Sequence, residues 1–181
     1  MSTGRLAEAG FSLVEVLIGA TIMIAVAAAC LGAQLAATKL MNESVARSQL
    51  EETAIFGAKE VAYEARWADG AALVLSTENG SSRIDLHTPV NYVAGNPVWS
   101  TTITYHVVPS PNDANGNGIH DEGMLVRVQN GKSTVICDAL VTGGFTATRT
   151  GDSLALQVRL LKLYRGRPLT VVAATSATIR N

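Results

Sequence analysis

The stretch FSLVEVLIGATIMIAVAAACLGAQLAAT, residues 11–38, contains one charged side chain, Glu15, and none from Val16 to Thr38. About 20 apolar residues cross a bilayer as a helix, so the run is long enough to span one. A carboxylate within such a run is costly unless it meets a cation at the same depth, and intramembrane acids are usually functional. A secretory signal is the competing reading, because small residues stand at Ala27–Ala29. The apolar core of such a signal is only about 7–15 residues long, and Glu15 would lie inside it. The run predicts a membrane-length helix whose acid serves assembly rather than catalysis.

The apolar spacing continues beyond Thr38. Met41, Val45, Ala54, Ile55, Ala58, Val61, Ala62 and Ala65 largely recur in steps of three and four. Lys39, Glu43, Arg47, Glu51, Glu52, Lys59 and Glu60 mainly fill the other faces, the pattern of an amphipathic helix. The first proline is Pro89. One helix is expected from about Phe11 to Trp67, about 85 Å long at 1.5 Å per residue, with Asp69-Gly70 ending it. Gly32 and Gly57 are its weak points, each costing roughly 1 kcal/mol relative to alanine.

The rest of the chain reads as antiparallel sheet. Asn79-Gly80 separates Ala71–Ser76 from Ser82–His87, and Asn130-Gly131 separates Leu125–Gln129 from Ser133–Cys137. Asn-Gly between alternating segments is the strongest short hairpin signal. Gly151-Asp152 joins Phe145–Arg149 to Leu154–Tyr164, Thr101–Val108 alternates, and Leu169–Ile179 follows an Arg167-Pro168 turn. The expected fold class is α+β, a long N-terminal helix, half membrane and half amphipathic, packed on a C-terminal antiparallel sheet. The expected order is a leader over 1–10, a transmembrane and assembly helix over 11–38, an amphipathic helix over 39–69 and a β-rich head over 70–181.

Composition narrows the function. The formal net charge is −1, with 14 Lys+Arg against 15 Asp+Glu, and aromatics make up 5%. Neither a global field nor a basic aromatic patch is present to hold nucleic acid. Cys30 and Cys137 read as small buried hydrophobes without a bridge. His87, His106 and His120 lack metal-ligand spacing, and no G-x-S-x-G, phosphate-cradling loop or H-E-x-x-H occurs. Trp67 and Trp99 read as packing residues. No catalytic residue is assigned and no enzyme is expected.

Gly10-Phe11-Ser12-Leu13-Val14-Glu15 followed by the apolar helix closely resembles the class III signal of type IV pilins and type II secretion pseudopilins. The match covers roughly thirty residues and joins four features that rarely coincide. The resemblance implies a prepilin peptidase that cuts after Gly10 and N-methylates Phe11, and it makes Glu15 the family's characteristic glutamate. In a filament of this kind, Glu15 of one subunit meets the Phe11 amine of a neighbour. Pairing relieves the desolvation of both charges, although a buried pair need not be net stabilising. Its stronger effect is on register, because a wrong offset leaves a charge unpaired among apolar helices. Small residues Gly19, Ala20, Ala27, Ala28 and Gly32 allow those helices to approach closely. Two positions depart from the family pattern: Ala9 rather than a basic residue precedes Gly10, and Gly32 stands near the place where major pilins often carry a proline.

A second motif lies in the head. Asp113-Ala114-Asn115-Gly116-Asn117-Gly118-Ile119-His120-Asp121-Glu122 follows the D-x-[DN]-x-[DN]-G opening of a calcium loop. Alternating oxygens of a tight turn surround a hard cation. Asp113, Asn115 and Asn117 supply side-chain oxygens, Ile119 a carbonyl, and Asp121 or Glu122 completes the shell. Met124 stands where an EF-hand carries its bidentate glutamate, so the loop is of the non-EF-hand kind. The same residues also make an ordinary solvated turn.

The whole reads as a pilin-like filament subunit. Among family members a minor pseudopilin of a type II secretion-like system fits best, because the head lacks the late cysteine pair of many adhesive type IV pilins. A minor type IV or competence pilin is the alternative within the family. The implied partners are other pilin or pseudopilin subunits, the prepilin peptidase, an inner-membrane assembly platform and the lipid bilayer, with the head in the periplasm. The alternative from a different class is a membrane-anchored, extracytoplasmic calcium-binding β-domain in which Glu15 plays no part.

Overall fold

The computed structural model describes residues 12–111 and 122–179. Helix α1 runs unbroken from Leu13 to Arg66, within two residues of the expected span. Nine strands follow among the described residues: β1 (Val74–Glu78), β2 (Ser81–Leu86), β3 (Pro89–Val93), β4 (Asn96–Trp99), β5 (Ile103–Pro109), β6 (Gly123–Gln129), β7 (Lys132–Thr150), β8 (Ser153–Tyr164) and β9 (Arg167–Thr178). Seven of them form one sheet in the order β1-β2-β5-β6-β7-β8-β9, while β3 and β4 make a separate ribbon. Every pairing is antiparallel. The fold is α+β, as the alternation in the sequence requires.

The chain divides after Ser44 into two units. In the first, every described side chain from Ser12 to Asn42 is exposed. In the second, the rest of α1 lies on the sheet through Leu50, Ala54, Gly57, Ala58, Val61, Ala62 and Ala65. These are small or aliphatic residues at steps of three and four, and the approach is tight at Gly57, where a Cβ would lie 3.0 Å from Cys137 Sγ. Met41, Val45 and Ile55, which the spacing placed on the same face, are exposed instead.

Strand β8 shows why the sheet forms. Leu154, Leu156, Val158 and Leu160 are buried, and Ser153, Ala155, Gln157 and Arg159 between them are exposed. Burying each such aliphatic side chain contributes roughly 1.5–3 kcal/mol. The sheet curls until β2 meets β7, where the Ala147 N–H donates to Ser82 Oγ at 2.8 Å.

Four hairpins turn through pairs of residues with positive φ: Asn79-Gly80, Ala94-Gly95, Asn130-Gly131 and Arg165-Gly166. Two correspond to the Asn-Gly signals. The other two hide behind Ala94 and Arg165, residues that seldom take this conformation. The last turn therefore falls at Arg165-Gly166 rather than Arg167-Pro168, and Pro168 lies in β9 opposite Leu163. A proline is tolerated there because β9 is an edge strand. Phe145–Arg149 is the far half of β7, separated from its near half by a bulge between Leu140 and Phe145.

At its C-terminus α1 tightens. The Trp67 and Ala68 N–H groups donate to the Glu64 and Ala65 carbonyls at 3.0 and 3.2 Å, the shorter-period turn that often closes helices. Asp69 then accepts from the Ala71 N–H at 2.9 Å and donates its own N–H to the His87 carbonyl at 3.0 Å. Trp67 and Trp99 are not core residues, since both are exposed. Cys137 is buried as expected, but Cys30 is exposed and both thiols are free.

Gly57 has a packing role that the sequence did not show. A Cβ built on it would lie 3.0 Å from Cys137 Sγ. Gly57→Ala therefore should not recover the roughly 1 kcal/mol of helix propensity that alanine usually brings. A thermal melt of the full chain in detergent should show Gly57→Ala at or below wild-type stability. Adding Cys137→Ala, which removes the facing sulfur, should relieve the alanine.

Candidate assembly site

Ser12 and Glu15 open α1 with reciprocal hydrogen bonds. The Ser12 N–H donates to Glu15 Oε2 at 3.0 Å, and the Glu15 N–H donates to Ser12 Oγ at 3.2 Å. This is a capping box, in which a serine and a glutamate three residues on satisfy two helix-start donors. The carboxylate also sits in the first turn, where the helix dipole favours negative charge. Ser12-x-x-Glu15 is the sequence signature of such a box. Gly10 and Phe11 lie outside the described residues.

The polar side chains further along are partly self-contained. Thr21 Oγ1 donates to the Ile18 carbonyl at 2.8 Å, and Thr38 Oγ1 to the Gln34 carbonyl at 2.8 Å. Such back-bonding satisfies a hydroxyl where no water is at hand. Leu13, Val14, Leu17, Ile18, Ile22, Met23 and Ile24 are all exposed on this segment. A Cβ built at Gly19 or Gly32 meets nothing within 4 Å, so contacts within the chain do not require either glycine. This is one helix long and apolar enough to cross a membrane.

Of the expected calcium ligands, Asp113, Asn115, Asn117, Ile119 and Asp121 lie outside the described residues. Glu122 is described and is only 3% exposed. It precedes β6, its carbonyl accepts from the Ser110 N–H at 2.8 Å, and it borders a hollow of about 270 Å³ shared with Asn79 and Ser81. Among the described residues, no three His, Cys, Asp or Glu side chains converge as a metal site. A buried carboxylate closing an Asp/Asn-rich loop has the right chemistry for one hard-cation ligand.

The strongest polar cluster of the head was not apparent in the sequence. Arg127 on β6 grips Glu64 on α1, with Nη2 2.8 Å and Nε 3.0 Å from Oε1. The hydroxyl of the fully buried Tyr105 on β5 donates to Glu64 Oε2 at 2.7 Å. Arg127 also donates to Gln129 Oε1 at 2.9 Å. The partners are 63 and 41 residues apart in the chain, so no local spacing reveals them. The cluster fastens helix to sheet, and nothing about it provides a nucleophile or a substrate cleft.

Burial, then the Glu64 charge, raise the Tyr105 hydroxyl well above its ordinary range. Burial, then Asp138, push the Cys137 thiol up to about 12. Both groups hold their protons more tightly folded than unfolded. Their contribution is fully present below the unfolded values of 9.0 and 10.0 and is lost as pH rises through the folded ones. The head should keep constant stability to about pH 9, then lose about 1.4 kcal/mol per pH unit for each group titrating. Denaturant melts between pH 8 and 12 check this, and Cys137→Ala should remove the earlier part of the decline.

No protein-family model matches the chain, and no match emerges among curated proteins or solved structures.

Proposed function

We propose that the chain is a pilin-like filament subunit, a minor pseudopilin of a type II secretion-like system. In this reading it is cleaved after Gly10, methylated at Phe11 and polymerised through its N-terminal helix. The observation that carries it is the GFSLVE signal running directly into a helix whose described first thirty residues leave every side chain uncovered. An apolar surface of that length requires lipid or other helices around it. It is inserted as a single span of the inner membrane with the head on the periplasmic side, then drawn into the filament. There Glu15 pairs with the Phe11 amine of a neighbour.

Gly10→Val tests the reading. The variant should enter the membrane, keep residues 1–10 and fail to join filaments, with no filament signal above background in sheared fractions. Filaments containing the uncleaved variant at wild-type yield would contradict it.

A calcium site in the head is a second, separable proposal, favoured by the buried Glu122 at the end of the Asp113–Glu122 loop. Bound calcium would supply charge neutralisation and fix that loop, with Asp113, Asn115, Asn117, Ile119 and Asp121 completing the shell. At a hundredfold excess over its dissociation constant the ion should stabilise the head by about 2.7 kcal/mol. Millimolar calcium should raise the melting temperature of the wild type and leave Asp113→Ala unmoved. Equal melting of the wild type with and without calcium would sink it.

A further inference from the structure

The head carries a long open strand edge whose charge and proline, Arg167 and Pro168, stand only at its start. Among the described residues strand β9 ends the sheet and pairs only with β8, in unbroken register from Tyr164↔Arg167 to Ser153↔Thr178. No charged residue occurs between Arg167 and Arg180, and Val172 is 50% exposed. Edge strands are normally shortened, bulged or charged, because their free N–H and C=O groups template further pairing. The opposite edge follows that rule: β1 has five residues, and its Glu78 pairs with Arg83 at 3.3 Å. Beside β9, a hollow of about 340 Å³ is lined by Lys59, Ala62, Tyr63 and Arg66 of α1 with Thr175 and Ser176. The adjoining outer face of α1 exposes Ile55, Phe56, Tyr63 and Trp67, where a surface helix is ordinarily polar. Aromatic residues and arginine are the types enriched at protein interfaces.

The β3–β4 ribbon is the counterpart. Among the described residues it joins no strand of the main sheet, and Val90, Tyr92, Val93, Val98 and Trp99 are exposed on it. No charged residue occurs from Leu86 to Pro111. Its base is pinned, with the Ser100 N–H donating to the Thr88 carbonyl at 2.8 Å and the Thr88 N–H to Ser100 Oγ at 3.1 Å. His87 Nδ1 lies 2.9 Å from the Ser100 carbonyl. A two-stranded hairpin is marginal in water by itself, so a pinned, uncharged one lacks only a surface to rest on. Pro97 removes a donor from the middle of β4, whereas Val90 to Val93 of β3 include no proline, and the Tyr92 N–H donates to the neighbouring Asn91 Oδ1 at 2.8 Å.

We propose that the ribbon of one copy docks on the β9 edge of the next. Strand β3 adds to β9 by backbone pairing, and the ribbon's aromatic side chains meet the Tyr63 side of the hollow. The strands that pair bring no charge between them beyond Arg167, and Lys59 and Arg66 of the hollow are cations that the faces of the ribbon's aromatic rings can cover. The two surfaces are different patches of one chain, so the contact is heterologous and passes from copy to copy, as the filament reading requires, rather than closing as a two-fold pair. The proposal rests on the filament reading and names the head contact within it.

Cross-linking tests it in the full chain. In a Cys30→Ala background, Val93→Cys marks the ribbon and Val172→Cys marks β9, and membranes are treated with a short bismaleimide. Each single variant alone should give no dimer, their mixture should give dimers, and the double variant should give a ladder. Ala174→Lys, a charge set on the open edge, should reduce the ladder about tenfold. No mixed dimer, or dimers from one variant alone, would overturn the docking. Filaments are scored separately by electron microscopy. Filaments without cross-links remove the docking and keep the filament reading, and cross-links without filaments do the reverse.

Discussion

Glu15→Gln is expected to leave the start of α1 intact and to abolish filament assembly. Glutamine still accepts the Ser12 N–H, since a capping box works with either residue, but it cannot neutralise a neighbour's Phe11 amine. An ionised partner left unpaired in an apolar bundle costs about 3–5 kcal/mol. Each 1.4 kcal/mol is a factor of ten, so assembled protein should fall at least about a hundredfold while membrane insertion stays normal. Glu15→Leu should fail equally and should also lose about 1 kcal/mol of helix-start stability. The pair of variants separates capping of the helix from the proposed pairing with a neighbour. Wild-type assembly of Glu15→Gln beside failure of Glu15→Leu would make capping the whole function of Glu15.

Glu64→Ala should markedly destabilise the head. It leaves Arg127 without its main partner and Tyr105 without its acceptor. The side chains of Arg127 and Glu64 are 21% and 17% exposed, so solvent recovers part of the cost of a broken buried pair. A destabilisation of roughly 2–3 kcal/mol is expected, read as a lower denaturant midpoint with unchanged slope. Arg127→Ala should cost a similar amount, and the double variant should cost less than the sum of the two. Additive losses would show that Glu64 and Arg127 act on the helix–sheet junction separately.

What could be read from the sequence was what rests on local spacing. The helix was readable because its apolar run and later three-four rhythm extend over many turns without proline, and β8 because its side chains alternate strictly. Asn79-Gly80 and Asn130-Gly131 announced their turns, whereas Ala94-Gly95 and Arg165-Gly166 did not. There the preceding strands and the glycine impose a positive φ on residues that ordinarily avoid it. That omission concealed the β3–β4 ribbon and moved the start of β9. The outward Met41, Val45 and Ile55 show the limit of periodicity, since a helix knows its own faces but not where a sheet begins to cover it. Of the candidate site, the bond between Glu15 and Ser12 was implicit in the spacing. The Glu64–Arg127–Tyr105 cluster was inaccessible, because only the folded sheet brings those residues together.

The filament reading stands or falls on the N-terminus of the protein as it exists in its native membrane. Intact-mass and N-terminal peptide analysis should find a chain that begins at methylated Phe11, with Ser12 and Glu15 next to the new amine. A chain that retains residues 1–10, or one cut near Ala29, would contradict it and leave an anchored or secreted β-domain.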